Sequence, residues 1–139
     1  MTRFLLRVAG AAVSLIAIGL VGSPAVGAAA APDGAALFRS HCATCHGTNG
    51  RGDGPTASAM RTPPADLTRF GVTNGGVFPS ERLRRIIDGR GVSAHGTPEM
   101  PVWGVALKKT EAGVDESEVA ARIDALVRYI LSIQSRHAH

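Results

Sequence analysis

Apolar residues recur at helical spacing near the C-terminal end of the chain. Asp115, Glu116 and Glu118 precede this stretch, and acidic side chains there complement the positive end of a helix dipole. A single apolar stripe follows in steps of one to four residues. Its members are Val119, Ile123, Leu126, Val127, Ile130 and Ile133. The pattern predicts a long final helix with one buried face.

A second helix is predicted close to the N-terminal end of the folded part. Asp33 is suited to cap it, because a carboxylate at that position accepts hydrogen bonds from the first free backbone N–H groups. The helix would run through residues 35–38 and on towards Cys45.

A third, shorter helix is predicted in the middle of the chain. Ser80 is suited to cap it, and Gly89 to end it. Three apolar residues at helical spacing give it a buried side: Leu83, Ile86 and Ile87. Residues 90–104 are predicted to form a loop.

The region from Gly47 to Pro79 shows no helical or strand period, and glycines and prolines interrupt it repeatedly. A structureless loop of that length is unusual in a compact domain unless something organises it. We therefore predict an all-α fold of three to five helices with long loops.

The first 31 residues have the pattern of a secretory signal peptide. Arg3 and Arg7 form a positively charged start, the charge-free run 8–21 follows, and residues 26–31 offer small-residue cleavage sites. We predict cleavage within about residues 27–31 and a single domain over residues 32–139. An uncleaved membrane anchor is the rival interpretation, although the continuous apolar run is short for a membrane span.

Composition narrows the possible functions once the leader is set aside. The two leader arginines reduce Lys and Arg from 15 to 13 against 11 Asp and Glu, so the net charge falls from +4 to +2. A nucleic-acid-binding protein would normally keep a strong basic stripe with interleaved aromatic residues. The remaining chain has one Trp, one Tyr and three Phe, so a large non-protein apolar body is expected to complete the core.

The sequence "HCATCH" at 41–46 contains the only two cysteines of the chain. Zinc would need about four ligands, and no second Cys pair or suitably spaced His pair is present. A thioredoxin-like redox motif would need a strand context that is missing here. A plain disulfide remains possible for an exported protein, but C-x-x-C-H is the recognised signature of covalent haem attachment.

The spacing suits that chemistry. Residues three apart share one face of a helix, so the sulfurs of Cys42 and Cys45 can form thioethers to the two vinyl groups along one side of a porphyrin. His46, the next residue, can then turn its imidazole onto the iron. We therefore predict one covalently bound haem c, with its iron ligated by His46.

With these residues the chain resembles a class I c-type cytochrome, of the small monohaem bacterial kind that also occurs as a domain of cbb-type oxidases. Gly34 and Phe38 match the family's N-terminal helix, and Leu126 and Tyr129 match its C-terminal helix, which crosses the first helix at that glycine. The phrases "CATCHGTNGRGDGP", "PPADLT", "IIDGRG" and "EMPVWG" are typical of the family. The resemblance covers residues 33–134 and implies a cytochrome c fold wrapped around the haem.

The resemblance also implies a distal iron ligand. Met100, in "EMPVWG", is followed by Pro101 as the family's distal Met commonly is, and Met with His gives a raised potential. Met60 is the other methionine of the mature chain. His95 is the main rival ligand, although an ordinary surface role suits it better.

The residues expected to support the haem and its proximal histidine are predicted less specifically. In the family, a proline carbonyl after the attachment site accepts the Nδ1 proton of the proximal His, so either Pro63 or Pro64 is a candidate. Trp103 could donate its indole N–H to a haem propionate, or it could only pack the distal loop.

Four arginines surround the short middle helix: Arg82, Arg84, Arg85 and Arg90. A solvated face is the simpler interpretation. The more specific interpretation is a docking patch that steers an acidic redox partner.

The sequence thus predicts a periplasmic electron carrier with no catalytic residues of its own. Its partners would be a redox protein donor and acceptor, bound transiently, with no nucleic acid and with a membrane only through an uncleaved leader or a membrane-bound complex. Two alternatives remain open: a haem subunit of a periplasmic dehydrogenase or respiratory complex, and a ligand-binding or peroxidatic haem protein.

Overall fold

The structure is a computed structural model that describes residues 30–92, 100–109 and 114–135. All regular structure in these ranges is helical, which confirms the predicted fold class. The helices are α1 (Gly34–His41), α2 (Ala43–His46), α3 (Phe70–Thr73), α4 (Ser80–Asp88), α5 (Trp103–Lys109) and α6 (Glu116–Ser132), with 3₁₀ turns at Ala57–Ala59 and Leu67–Arg69. Within the described ranges, no helix has the length and apolar character needed to cross a membrane.

The N-terminal helix begins where the sequence predicts it. Oδ1 of Asp33 accepts hydrogen bonds from the backbone N–H groups of Ala35 and Ala36, at 2.9 and 3.1 Å. The helix does not run on unbroken to Cys45, because Cys42 separates α1 from α2. Gly47 then ends α2 with a positive φ of 78°, which only glycine adopts readily.

Helix α1 crosses α6 at Gly34. A β-carbon at this position would overlap the backbone carbonyl of Ala125, so the two helices can approach this closely only because residue 34 is glycine. One turn along, the rings of Phe38 and Tyr129 pack with centroids 5.0 Å apart. The crossing expected from the resemblance is therefore present.

Helix α6 follows the predicted apolar stripe. Oδ1 of Asp115 accepts a hydrogen bond from the N–H of Glu118 at 2.9 Å and caps the helix. The stripe residues Val119, Ile123, Leu126, Val127 and Ile130 are all buried. Ile133 is partly buried and lies just beyond the last helical residue.

The expected Ser80 cap is wrong by one residue. Pro79 precedes the helix and its carbonyl accepts the first helical bond, from the N–H of Leu83 at 2.9 Å, so Ser80 is already helical and makes no capping bond. A proline fits this position because its missing N–H would have no partner in the first turn. Gly89 ends α4 with a left-handed φ of 73°, as predicted.

The loop prediction for residues 90–104 is wrong at its C-terminal end, where α5 begins at Trp103. Helix α5 buries Trp103, Gly104 and Leu107, and Leu107 is fully inaccessible. Residues 93–99 lie outside the described ranges.

Candidate functional site

Cys42, Cys45 and His46 lie together on the short helical segment that follows α1. Cys42 occupies the break between α1 and α2, and its carbonyl accepts the N–H of His46 at 2.9 Å. The two cysteines are partly buried and form no disulfide with one another. Both sulfurs therefore remain available for bonds to another group.

The thiol of Cys42 has a low reactivity in this structure. Burial, and to a lesser degree the neighbouring Cys45, raises the pKa of Cys42 from 9.0 to about 12. The thiol consequently stays protonated at neutral pH, and in this folded arrangement it is a poor nucleophile.

The ring of His46 is oriented by one backbone carbonyl. Its Nδ1 lies 3.0 Å from the carbonyl oxygen of Ala65, so the ring donates from Nδ1 and keeps the lone pair on Nε2 for a metal. Burial lowers the pKa of His46 below its usual value, and the Ala65 carbonyl opposes this only in part. The neutral form, which can bind iron, is favoured.

The expectation that Pro63 or Pro64 supplies this carbonyl is wrong by one residue. The carbonyl of Pro64 faces Gly52 instead, so closely that a β-carbon on Gly52 would overlap it. Gly52 adopts a left-handed φ of 79° and donates its N–H to the carbonyl of His46 at 2.8 Å. The segment that carries Gly52 therefore packs closely against the segment that carries Pro64. The next carbonyl along the chain, that of Ala65, faces the imidazole.

The glycine-rich segment after His46 folds back on the attachment helix. Gly54 donates to the carbonyl of Cys45 at 3.1 Å, and the Thr56 hydroxyl lies 2.9 Å from the carbonyl of Thr44 and 3.3 Å from the sulfur of Cys45. These bonds organise a region for which the sequence shows no period.

One apolar cavity of about 370 Å³ collects the predicted site residues. Cys42, Cys45 and His46 line it together with Met100 and Trp103. Pro63 and Pro64 also contribute. The full lining is His41, Cys42, Cys45, His46, Met60, Thr62, Pro63, Pro64, Ala65, Leu67, Phe70, Leu83, Ile86, Ile87, Met100, Pro101, Trp103, Leu126 and Ile130.

The chemistry of this lining fits a haem. Two free thiols and a neutral imidazole lie on one segment, Met100 offers a thioether, and aliphatic side chains of α4 and α6 complete the walls. An apolar, planar group with a metal at its centre needs both the soft donors and the dry walls. The expected apolar body thus has a matching cavity.

The distal part of the cavity is built around α5. Met100 is partly buried and packs against the core, three residues before Trp103. Trp103 is 8% exposed, and its ring packs against that of His41 with centroids 5.2 Å apart. His95, the rival ligand, lies outside the described residues.

The sequence did not assign Ala65, Met60 or His41 to the lining of this cavity. Ala65 has no side-chain chemistry that could identify it. Met60 shows only as a second methionine, and its place in the cavity depends on how residues 47–66 fold. His41 lies next to Cys42, but only its contact with Trp103 shows that it borders the cavity.

Two of the four arginines near α4 are held in ion pairs. Arg84 binds Asp124 and Glu81, both at 2.5 Å, and these partners raise its pKa further. Arg90 binds Asp88 and Glu116, both at 2.7 Å. A docking patch would therefore rest mainly on Arg82 and Arg85, which are exposed.

Comparison with known families gives a match over most of the described chain. Residues 29–114 match the family described as cytochrome C oxidase, cbb3-type, subunit III. Searches of curated proteins and of solved structures found no match.

Proposed function

Because this chain belongs to the cytochrome c family of the cbb3-type oxidase subunit III, we propose that it carries one electron at a time on a haem c bound through Cys42 and Cys45, with His46 and Met100 as iron ligands. A cytochrome c domain transfers electrons by means of its haem, and this general role follows from family membership. The covalent attachment sites and the ligand pair are our proposal for this chain.

The bound haem would supply an iron that alternates between the ferric and ferrous states. The protein's part is to hold that iron in one coordination state through both. The Ala65 carbonyl fixes the orientation of His46, and burial of the ring favours its neutral form. The thioether of Met100 would favour the ferrous state and would thereby raise the reduction potential.

The cavity walls add to this effect. Leu83, Ile87, Leu126 and Ile130 are buried and surround the cavity with aliphatic groups. A low-dielectric surrounding opposes the extra charge of the ferric centre, so burial also raises the potential. No general acid and base pair is needed for such a role.

One observation carries the proposal. An imidazole oriented by a carbonyl, two free thiols and a methionine thioether line the same apolar cavity, although Met100 lies 54 positions after His46 in the chain.

We further propose that the protein works in the periplasm, on account of the leader pattern in residues 1–31. Most of that leader lies outside the described residues. The family's place in an oxidase supports a role in respiratory electron transfer, either as a free carrier or as a haem subunit of a larger complex. Co-purification of the tagged chain with a stoichiometric partner would distinguish the second case.

The ligand pair is tested by the weak near-infrared sulfur-to-iron charge-transfer band of the ferric, haem-loaded protein. We expect the band in the wild type, and we expect Met100→Ala to abolish it. Met60→Ala is the matched control, since Met60 lines the same cavity, and it should leave the band unchanged.

A wild type that lacks the band and is high-spin would overturn Met100 ligation. Gas binding and peroxide chemistry would then be the functions to test. Loss of the band in Met60→Ala alone would transfer the distal role to Met60.

A further inference from the structure

Three helix ends meet at Arg90, outside the haem cavity. The guanidinium donates two hydrogen bonds, of 2.7 and 2.8 Å, to the two carboxylate oxygens of Asp88, the last residue of α4. It also binds Glu116, the first residue of α6, at 2.7 Å. Glu116 in turn accepts a bond of 2.5 Å from Lys108 in the last turn of α5.

Helix α5 packs directly on this group. A β-carbon at Gly104 would overlap both Nε of Arg90 and Oδ1 of Asp88. Because Gly104 has no side chain, the Asp88–Arg90 pair can pack directly against the first turn of α5. A larger side chain would push the pair and the helix apart.

The placement of α5 determines the placement of Met100. Helix α5 has seven residues, too few to be stable without tertiary contacts. Its first turn begins at Trp103, and the carbonyl of Val102 accepts the N–H groups of Val105 and Ala106 at 3.0 and 2.9 Å. Met100 thus lies two residues from a backbone group that α5 fixes.

We infer that Arg90 and Gly104 are positioning residues for the distal iron ligand, which hold α5 and thereby keep Met100 on the iron. This inference rests on the proposed function, because Met100 must be a ligand for its position to matter. Loosening the Arg90 contacts should raise the fraction of molecules in which Met100 has left the iron. An added neutral ligand could then bind faster.

The test is the rate at which imidazole binds to the ferric, haem-loaded protein. Arg84→Ala is a matched control for Arg90→Ala, because both arginines are similarly exposed, at 36% and 40%, and both pair with α4 and α6 acids. The atoms nearest to a β-carbon on Gly104 belong to Arg90 and Asp88, not to Arg84. Partly exposed ion pairs are individually weak, so we expect imidazole to bind about three- to tenfold faster to Arg90→Ala and at the wild-type rate to Arg84→Ala.

Gly104→Ala provides a second variant that leaves every charge in place, and it should accelerate binding as Arg90→Ala does. Denaturant unfolding of all variants shows whether a rate change merely follows lost stability. Equal rates for Arg90→Ala and Arg84→Ala, with the near-infrared band present, would overturn the inference alone. Absence of that band from the wild type would overturn both the inference and the ligand assignment.

Discussion

At the scale of single residues, His46 depends on a contact that no side-chain substitution at position 65 can remove. The acceptor of its Nδ1 proton is the backbone carbonyl of Ala65, 3.0 Å away. That carbonyl is placed by the close approach of Gly52 to Pro64. The contact can therefore be tested only through the segment that carries it.

We predict that Gly52→Ala weakens the His46–Ala65 bond, because the added methyl would displace Pro64 and its neighbour. A weaker bond makes the imidazole a poorer donor to ferric iron, so the reduction potential should rise. The measurement is a spectroelectrochemical titration of the haem-loaded variant.

Gly75→Ala is the control for backbone strain. Gly75 also has a left-handed φ, of 65°, but no atom lies within 4 Å of an added β-carbon. Both variants should lose about 1–2 kcal/mol from the strained conformation, yet only Gly52→Ala should change the potential. Equal potentials in the two variants would refute the link between Gly52 and the proximal histidine.

The sequence predicts the role of His46 but not that of Ala65, and this difference has a physical reason. Cys42, Cys45 and His46 act within one short helical segment, so their spacing alone predicts their chemistry. The acceptor comes from a distant loop, and its identity depends on which carbonyl of a proline-rich turn faces inward. Two adjacent prolines indicated the turn, but not its register.

At the scale of secondary-structure elements, α6 shows the best agreement between sequence and structure. Its acidic start and its buried stripe both follow from local chemistry and a period of 3.6 residues. Helix α5 is the opposite case. Its order comes from contacts made by Gly104 and Leu107 with other parts of the chain, so its own sequence between Pro101 and Lys109 does not predict it.

The cap of α6 should confer a pH-dependent stability. The Ser117 hydroxyl, 2.6 Å away, is the largest cause of the lowered pKa of Asp115, and the Glu118 N–H adds to it. A lowered pKa means that the folded protein favours the charged carboxylate. Its contribution is therefore complete above pH 3.8 and is lost as the pH falls below that value.

We predict that Asp115→Ala lowers the free energy of unfolding at pH 7 and that the difference from wild type shrinks below pH 3.8. Denaturant unfolding across this range measures it. Ser117→Ala keeps the cap but removes the largest cause of the shift, so the part of the stability that is lost below pH 3.8 should be smaller than in the wild type. A difference between Asp115→Ala and wild type that did not change with pH would contradict this role of the carboxylate.

At the scale of the whole molecule, the cavity is lined by segments that lie far apart in the described part of the chain. The attachment segment brings sulfur and imidazole, the proline-rich turn brings Ala65, and α4, α5 and α6 close the remaining sides. The poverty of large apolar residues predicted that something other than protein completes the core. It could not predict that Met60 and His41 border the same space, because their positions depend on the folded loops.

The arginines near α4 contribute more to ion pairs between helices than to an exposed basic surface. Arg84 and Arg90 each join helices rather than projecting alone, and only Arg82 and Arg85 of the cluster remain as candidates for steering a partner. In the transient encounters that the sequence predicts, charge on these two residues would affect the association rate more than the affinity.

The most direct test of the electron-carrier proposal is exposure of the reduced, haem-loaded protein to carbon monoxide. In the proposed carrier, His46 and Met100 would both bind the iron, so the ferrous iron would have no open position. We therefore predict that the absorption spectrum stays unchanged after mixing. Immediate and stoichiometric formation of the carbon monoxide adduct would show an open iron site and would contradict the proposed carrier function.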